Sequence, residues 1–149
     1  MTYFHTGTRT IIGAKSFHCL YIRRAQVLDI RDRILASGGG AVHVYGSVYP
    51  GTEAPSADPP LVIRSLSAAD LVMDATEAYM LIEVEANVAL SGTPTWARFV
   101  DGTGATVYDA SAGLPGSGAQ LIVSDGQEPP GAAMYPGGVV TMSVEFVRL

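Results

Sequence analysis

The sequence predicts a mainly β protein: an antiparallel β-sandwich or jelly-roll-like barrel of about seven strands, with one amphipathic helix near the N-terminus. Several short segments alternate apolar and polar residues with the period of a strand. The 17 glycines and 9 prolines among 149 residues supply many turns. One segment has its apolar residues at helical spacing. We expect residues 1–19 to form an N-terminal arm or an edge strand and residues 20–149 to form a single β-sandwich domain.

Charge and cysteine content argue against several classes of protein. The net charge is -5 and Lys15 is the single lysine, whereas a groove that follows nucleic-acid phosphates needs clustered basic residues. Cys19 is the one cysteine and has no partner for an internal disulfide. No apolar run approaches the roughly 18 residues of a membrane helix. We therefore expect neither nucleic-acid binding nor membrane binding.

The helix is predicted over residues 20–36. Its apolar side is defined by two series that recur every seven positions: Leu20, Val27 and Ile34, and Tyr21, Leu28 and Leu35. On the polar side, Asp29 and Arg33 are four residues apart and are expected to pair. The run of Gly38, Gly39 and Gly40 ends the helix, because glycine adopts the left-handed conformation that closes a last turn. We interpret the arginines of the polar side as solvated, in preference to a site for an anionic partner.

Seven segments have the composition of strands. They are residues 41–45, 61–66, 79–88, 95–100, 106–110, 121–123 and 140–146. Segments 95–100 and 106–110 form a hairpin, because Asp101-Gly102-Thr103-Gly104 has the chemistry of a turn. Two long loops rich in proline and glycine separate other strands, at 46–60 and 126–138, and the first is longer than ordinary connections, which indicates a functional or a mobile segment. Residues 67–76 fit a helical turn or a polar crossover equally well.

No arrangement of residues predicts catalysis, a metal site or a cofactor. His5, His18 and His43 lack the spacing of a metal pair, and each is expected on the surface or half-buried. Cys19 follows His18, but neighbours in sequence point apart, and a lone cysteine is usually a small buried apolar residue. The loop at Asp101 lacks the further acidic ligands of a calcium loop. It is interpreted as a turn.

Four turn and packing motifs carry a resemblance. They are Tyr45-Gly46-Ser47, Gly92-Thr93-Pro94-Thr95-Trp96, Asp101-Gly102-Thr103-Gly104 and Gly118-Ala119-Gln120-Leu121. In this order, after an amphipathic helix, they resemble a family of small tailed-bacteriophage proteins encoded among virion genes. In that family a Gly-Thr-x-Thr-Trp hairpin leads to a Gly-Ala-x-Leu strand. The chain departs from the family pattern at Pro94, in an N-terminal extension of about twenty residues, and in the loop at 126–138.

The resemblance implies a non-enzymatic virion structural protein, assembled in the bacterial cytoplasm. Its implied role is that of a capsid decoration or cement protein, or of a head-to-tail accessory subunit. The implied partners are copies of itself and the major capsid protein or other virion subunits. Apolar residues of the arm and the long loops are the expected contacts, namely Tyr3, Phe4, Tyr49, Met134 and Tyr135.

Two other functions stay open at this point. A glycan-binding module of a tail fibre or tail tip would use Trp96, exposed beside Tyr108, as its binding platform. A hydrolase would use Glu83 and Glu85, which lie two residues apart on one face of a strand. Two carboxylates on a wet strand face are more often only solubilising.

Overall fold

The computed structural model describes residues 3–4, 10–11, 21–22, 24–52, 54–73, 79–126 and 134–148, and the side chains of 27–52, 54–73, 80–126 and 134–145. Of the described residues, 45% are in strands and 11% in helix. The predicted mainly β class with one short helix is therefore confirmed.

One α-helix, a short 3-10 helix at Ala36–Gly38 and eleven strands make up the regular structure of the described chain. In chain order the strands and the α-helix are β1 (Tyr3–Phe4), β2 (Thr10–Ile11), β3 (Tyr21–Ile22), α1 (Arg24–Leu35), β4 (Ala41–Tyr45), β5 (Val62–Ser65), β6 (Leu71–Met73), β7 (Tyr79–Asn87), β8 (Trp96–Val100), β9 (Thr106–Gly113), β10 (Leu121–Ser124) and β11 (Val139–Arg148). All seven segments predicted as strands contain one. The three-residue strand β6 lies within residues 67–76, where the sequence fits a helical turn or a polar crossover equally well.

The strands form one curled sheet in the order β5-β4-β8-β9-β10-β11-β7-β6. Strand β9 is the corner of this sheet, because its first part pairs with β8 and its last residues, Ala112 and Gly113, pair with β10. Most pairs are antiparallel, as predicted. Two are parallel, β9 with β10 and β11 with β3. The β9–β10 pair forms because β9 extends beyond the end of β8. The loop after β9 then brings β10 alongside β9 in the same direction.

The curl brings β5 back to β7 and nearly closes the sheet into a barrel. An isolated bridge joins Val62 to Val88. Beside it, the guanidinium of Arg64 donates through Nε to the carbonyl oxygen of Glu85 at 2.8 Å and lies 3.4 Å from Asp70. Between β5 and β7, a side chain therefore makes the hydrogen bond that backbone pairing would otherwise make. It satisfies a β7 carbonyl that would otherwise lack a strand partner.

The interior of the barrel is apolar, and the helix closes one end of it. Val27, Ile30 and Ile34 are fully buried and belong to the same core cluster as the inward residues of the strands. Their spacing of three and four residues puts them on one side of the helix. On the other side, Arg33 Nε donates to Asp29 at 2.9 Å, as the four-residue spacing predicts.

The helix begins later than the sequence predicts. Residues 20–36 were expected to be helical, but Tyr21–Ile22 forms strand β3 and pairs with β11. The helix covers Arg24–Leu35. The pairing of two backbone segments outweighs the local apolar periodicity here, which is the usual limit of propensity arguments.

The glycines after the helix allow it to approach the β8–β9 turn closely. Ser37 has φ 58° and Gly39 has φ 99°, so the chain reverses in the left-handed region as expected. A Cβ at Gly40 would overlap the carbonyl of Val100, and one at Gly102 would overlap that of Ser37. Gly102 N–H donates to Ala36 O at 3.0 Å. The helix end and the hairpin turn are thereby joined.

Part of the predicted N-terminal arm pairs with the sheet. The backbone of Tyr3–Phe4 is antiparallel to β2 and to β9, with Tyr3 opposite Asp109. Apart from Thr10–Ile11 of β2, the other residues of 1–19 lie outside the described chain, as do 127–133 of the second long loop.

Candidate functional site

A loop covers the outer face of the barrel at β4, β8 and β9. We call residues 46–60 the cover loop; Glu53 lies outside the described residues. All five residues of β8 are buried, although a strand with one wet face would expose every second one. The residues that point away from the core, Trp96, Arg98 and Val100, are buried under the cover loop instead of facing water.

An ion pair lies at the centre of this covered face. Arg98 Nε donates to Asp109 Oδ1 at 2.8 Å and Nη2 donates to Oδ2 at 2.9 Å, and the side chains are 3% and 2% exposed. The two residues occupy opposite positions on β8 and β9. Burial disfavours the charged guanidinium, but its bonds to Asp109 more than compensate, and the pKa of Arg98 is raised.

The same guanidinium holds the cover loop in place. Its Nη1 donates to Ala54 O and its Nη2 to Thr52 O, both at 2.6 Å. The Tyr49 hydroxyl donates to Asp109 Oδ2 at 2.9 Å. Each member of the buried pair therefore binds the loop directly, which satisfies the charges that burial has taken out of water.

Aromatic rings fill the space beside the ion pair. Trp96 stacks on Tyr45 with ring centroids 4.2 Å apart and an angle of 14°, and Tyr49 meets it edge-on at 5.1 Å. The Arg98 guanidinium carbon lies 5.1 Å from the centre of the Trp96 ring. A small cavity of about 90 Å³ remains between Tyr49 and Ser111. The face is thus a second, polar and aromatic core outside the barrel.

A larger groove opens between the cover loop and the barrel, with a volume of about 270 Å³. It is lined by the apolar residues Pro55, Pro60, Ile63 and Val100 and by the polar residues His43, Tyr45, Ser56, Asp58, Arg98 and Thr106, together with Gly104. Ile63 is 54% exposed. The groove therefore presents an accessible apolar surface next to a row of polar groups.

One of the polar residues that line the groove, His43, has an unusual environment. Burial, and secondarily the positive charge of Arg98, lower the pKa of His43. Its Nδ1 lies 3.4 Å from the hydroxyl of Tyr45, whose own pKa is raised, mainly by burial. His43 is consequently neutral near pH 7 and acts in hydrogen bonding without adding charge to the groove.

The predicted contact residues have different positions in the structure. Tyr135 is 69% exposed, whereas Met134 is 4% exposed and lies in the core. The expectation that Met134 is available for contacts is wrong, because its backbone pairs with Gly92 and draws the side chain inward. Tyr49 is half-buried in the covered face. The side chains of Tyr3 and Phe4 lie outside the described residues.

The predicted glycan platform is also wrong. Trp96 is 2% exposed and Tyr108 is fully buried. The two do not share a face, since Tyr108 lies opposite Phe99 and faces the core, while Trp96 lies beneath the cover loop. Neither ring can receive a sugar without displacing other parts of the chain.

Two other sequence predictions can be compared with the structure. Glu83 and Glu85 are exposed on the outer face of β7, where they lie opposite Ser143 and Thr141 of β11. Asp101 is a turn residue, as expected: its Oδ1 accepts bonds from the Thr103 hydroxyl at 2.6 Å and from the Thr103 and Ala105 amides. These bonds, the one from the hydroxyl above all, lower the pKa of Asp101.

Four large apolar side chains are exposed at the end of the barrel opposite the helix. We call Val48, Leu90, Tyr135 and Val139 the apolar rim; they are 90%, 39%, 69% and 55% exposed. Backbone bonds hold their loops at this end, among them those from Ala89 and Leu90 to Leu61 O and between Gly92 and Met134. The helix lies at the other end, where Arg31 donates to Leu71 O at 3.4 Å.

The described residues contain no group of three or more His, Cys, Asp or Glu side chains placed to bind a metal ion. No helix among them is long and apolar enough to cross a membrane. No family model, curated protein or solved structure matches the chain.

Proposed function

We propose that this protein is a non-enzymatic structural subunit of a bacteriophage particle, a capsid decoration or cement protein or a head-to-tail accessory subunit. It acts through contacts with copies of itself and with other virion subunits. The sequence motifs that resemble the virion family include the hairpin Trp96, the turn at Asp101 and the segment before β10. In the structure Trp96 belongs to the covered face, and Asp101 belongs to the turn that meets the end of the helix.

The apolar rim is the observation that carries the proposal. One barrel end is closed by the helix, whereas the opposite end has four large apolar side chains in water. Exposed apolar groups gathered in one region are typical of surfaces that become buried in an assembly. A symmetric particle repeats such a contact in every copy, so a small surface contributes many times.

Locating the protein in the intact particle tests this proposal most directly. We expect density of the barrel on the outside of the capsid or at the head-to-tail junction, with the apolar rim against a neighbouring subunit. We also expect the purified protein to co-sediment with empty heads. Absence of the protein from purified particles, or a rim that faces solvent there, would contradict the proposal.

A matched pair of variants tests the rim itself. Val139 on the rim and Val72 on β6 are each 55% exposed, so Val139→Ser and Val72→Ser remove similar apolar area from different places. We expect Val139→Ser, alone or combined with Leu90→Ser, to weaken co-sedimentation and Val72→Ser to leave it unchanged. Equal effects of the two valine substitutions would show that the rim has no special role.

A further inference from the structure

The groove beneath the cover loop has an unbalanced charge. Within the part of the chain that the structure describes, the ion pairs are Arg33–Asp29, Arg64–Asp70 and Arg98–Asp109. Asp58 lines the groove and takes part in none of them. Because the charge of Arg98 is matched by Asp109, and because His43 is neutral, the carboxylate of Asp58 leaves the groove with one net negative charge.

The hydrogen-bonding groups of the groove also favour a donor as its occupant. Four of the five N–H groups of Arg98 donate to Asp109, Thr52 and Ala54, so little donor capacity remains there. The Asp58 carboxylate only accepts hydrogen bonds, and its charge has no partner among the described residues of the groove. The Ser56 hydroxyl accepts from the Asp58 amide at 3.2 Å and keeps its own hydrogen for donation. The charged group that remains for an occupant is therefore an acceptor.

The apolar residues of the groove suit an aliphatic chain. Pro55, Pro60 and Ile63 present carbon surface along the groove, and Ile63 is 54% exposed in the chain alone. Lysine and arginine combine an aliphatic stem with a cationic donor head, and they bury the stem against apolar surface while the head finds its partner. A neutral apolar side chain would match only the apolar part of the lining. An anion would meet the charge of Asp58.

We propose that this groove binds the side chain of a lysine or arginine presented by a partner polypeptide, with its head at Asp58 and its stem against Ile63 and the two prolines. The inference rests on the proposed function only for the source of that side chain, a neighbouring subunit of the particle. The chain itself is acidic, with a net charge of -5, which favours encounter with a basic surface.

The binding test uses three capped amino acids and needs no particle. Nα-acetyl-lysine methylamide and Nα-acetyl-arginine methylamide are titrated into the ¹⁵N-labelled protein, and Nα-acetyl-norleucine methylamide serves as the neutral control. We expect the two basic probes to shift the amides of Ser56, Asp58 and Gly104 saturably, with dissociation constants on the order of millimolar. The norleucine probe should cause at least about fivefold less shift at equal concentration.

Variants of the protein test whether probe binding depends on the charge of Asp58 or only on the shape of the groove. Asp58→Asn keeps the shape of the exposed side chain and should weaken the basic probes about fivefold or more, because it removes one partly screened ion pair. Glu83→Gln removes an equal charge from β7 and should leave binding unchanged. Unchanged affinity in Asp58→Asn, equal binding of norleucine, or preferential binding of a methyl glycoside would overturn the inference.

The two proposals fail independently. No saturable shift with either basic probe would overturn the groove assignment and leave the particle role standing. Absence of the protein from particles would overturn the particle role, and the groove would still be judged by the titration. If Asp58→Asn disturbed the fold, the comparison of lysine with norleucine on the unmodified protein would decide the matter.

Discussion

The two outer faces of the barrel have similar sequence patterns and opposite environments. On β7 and β11, the outward residues Glu83, Glu85 and Thr141 are exposed. On β8 and β9, the outward Arg98 and Asp109 are almost completely buried under the cover loop. Alternation therefore identifies which side chains point away from the core, but it does not show whether they face water or another segment of the chain.

The difference between the faces lies in what stands opposite each charged residue. Arg98 faces Asp109 across the β8–β9 ladder, so their charges compensate. Glu83 faces Ser143 and has no opposite charge across the β7–β11 ladder. A charged residue can be covered at modest cost only where a complementary group is already fixed beside it. A polar face of a sheet can thus be covered only where residues of opposite charge occupy paired positions on neighbouring strands.

The strongest test of this comparison removes one charge from the buried pair. Asp109→Asn keeps the size of the side chain and leaves Arg98 buried without its counter-charge, so we expect unfolding free energy to fall by about 3–5 kcal/mol. Urea denaturation at pH 7 measures the change. Glu85→Gln, the matched substitution on the open face, should change stability by no more than about 0.5 kcal/mol.

A double variant shows whether the loss comes from the isolated charge. Arg98→Met with Asp109→Leu removes both ions and keeps similar volume, so it should be clearly less destabilised than Asp109→Asn alone. A double variant at least as unstable as the single one would mean that the bonds from Arg98 to the cover loop dominate, and not the ion pair.

A smaller effect is expected where the loop meets the pair. Tyr49→Phe deletes the hydroxyl that donates to Asp109 at 2.9 Å and keeps the ring against Trp96. Because the acceptor is charged, we expect a loss of about 1–2 kcal/mol in unfolding free energy. Tyr135→Phe is the control, since Tyr135 is 69% exposed and should show almost no change. A similar cost at both tyrosines would contradict the role assigned to the covered face.

The covered face should also respond to acid. The folded protein holds the pKa of His43 below its ordinary value of 6.5, chiefly by burial, so the unfolded chain binds a proton more readily. Stability should therefore decline as pH falls from about 6.5 through the lower pKa of the folded state. Urea midpoints at pH 7.5 and pH 5 should differ less in His43→Gln than in the unmodified protein.

Both proteins of that comparison contain His5 and His18, so the difference between the proteins isolates His43. Asp101, whose pKa is lowered, adds acid sensitivity only as the pH falls through its ordinary carboxyl pKa towards the lower pKa of the folded state, so it contributes little between pH 7.5 and pH 5. An identical pH dependence with and without His43 would show that its burial is relieved when it is protonated.

Much of the fold follows from patterns that are local in the chain. The strands at Ala41–Tyr45 and Trp96–Val100 were predicted with errors of at most one residue at an end, because alternation and turn residues agree there. The late helix start depends on pairing with strand β11, which is distant in sequence. The parallel pair at Ala112 and the short strand Leu71–Met73 depend on partners in other strands. Local periodicity contains no information about such partners.

The covered face was missed because a bulge in the hairpin hides the signal for it. Counting back from a turn at residues 101–105 sets Arg98 opposite Tyr108, whereas the bulge between Phe99 and Val100 shifts the register by one residue and brings Asp109 opposite Arg98. A charge pair at one register position, next to a tryptophan and near a long loop with four prolines, indicates a polar layer that something covers. The prediction that Trp96 is exposed rested only on the alternation of side chains along the strand.

The smallest expected effect belongs to the open face. Glu83 and Glu85 are both exposed and carry like charges two residues apart on one strand, where they repel each other weakly. Replacing both by glutamine should leave the unfolding free energy within about 0.5 kcal/mol, with any change in the stabilising direction. Salt at about 1 M shortens the screening length to about 3 Å and should abolish that gain. A large loss of stability, or loss of a hydrolytic activity measured with the purified protein, would show that these carboxylates do more than face water.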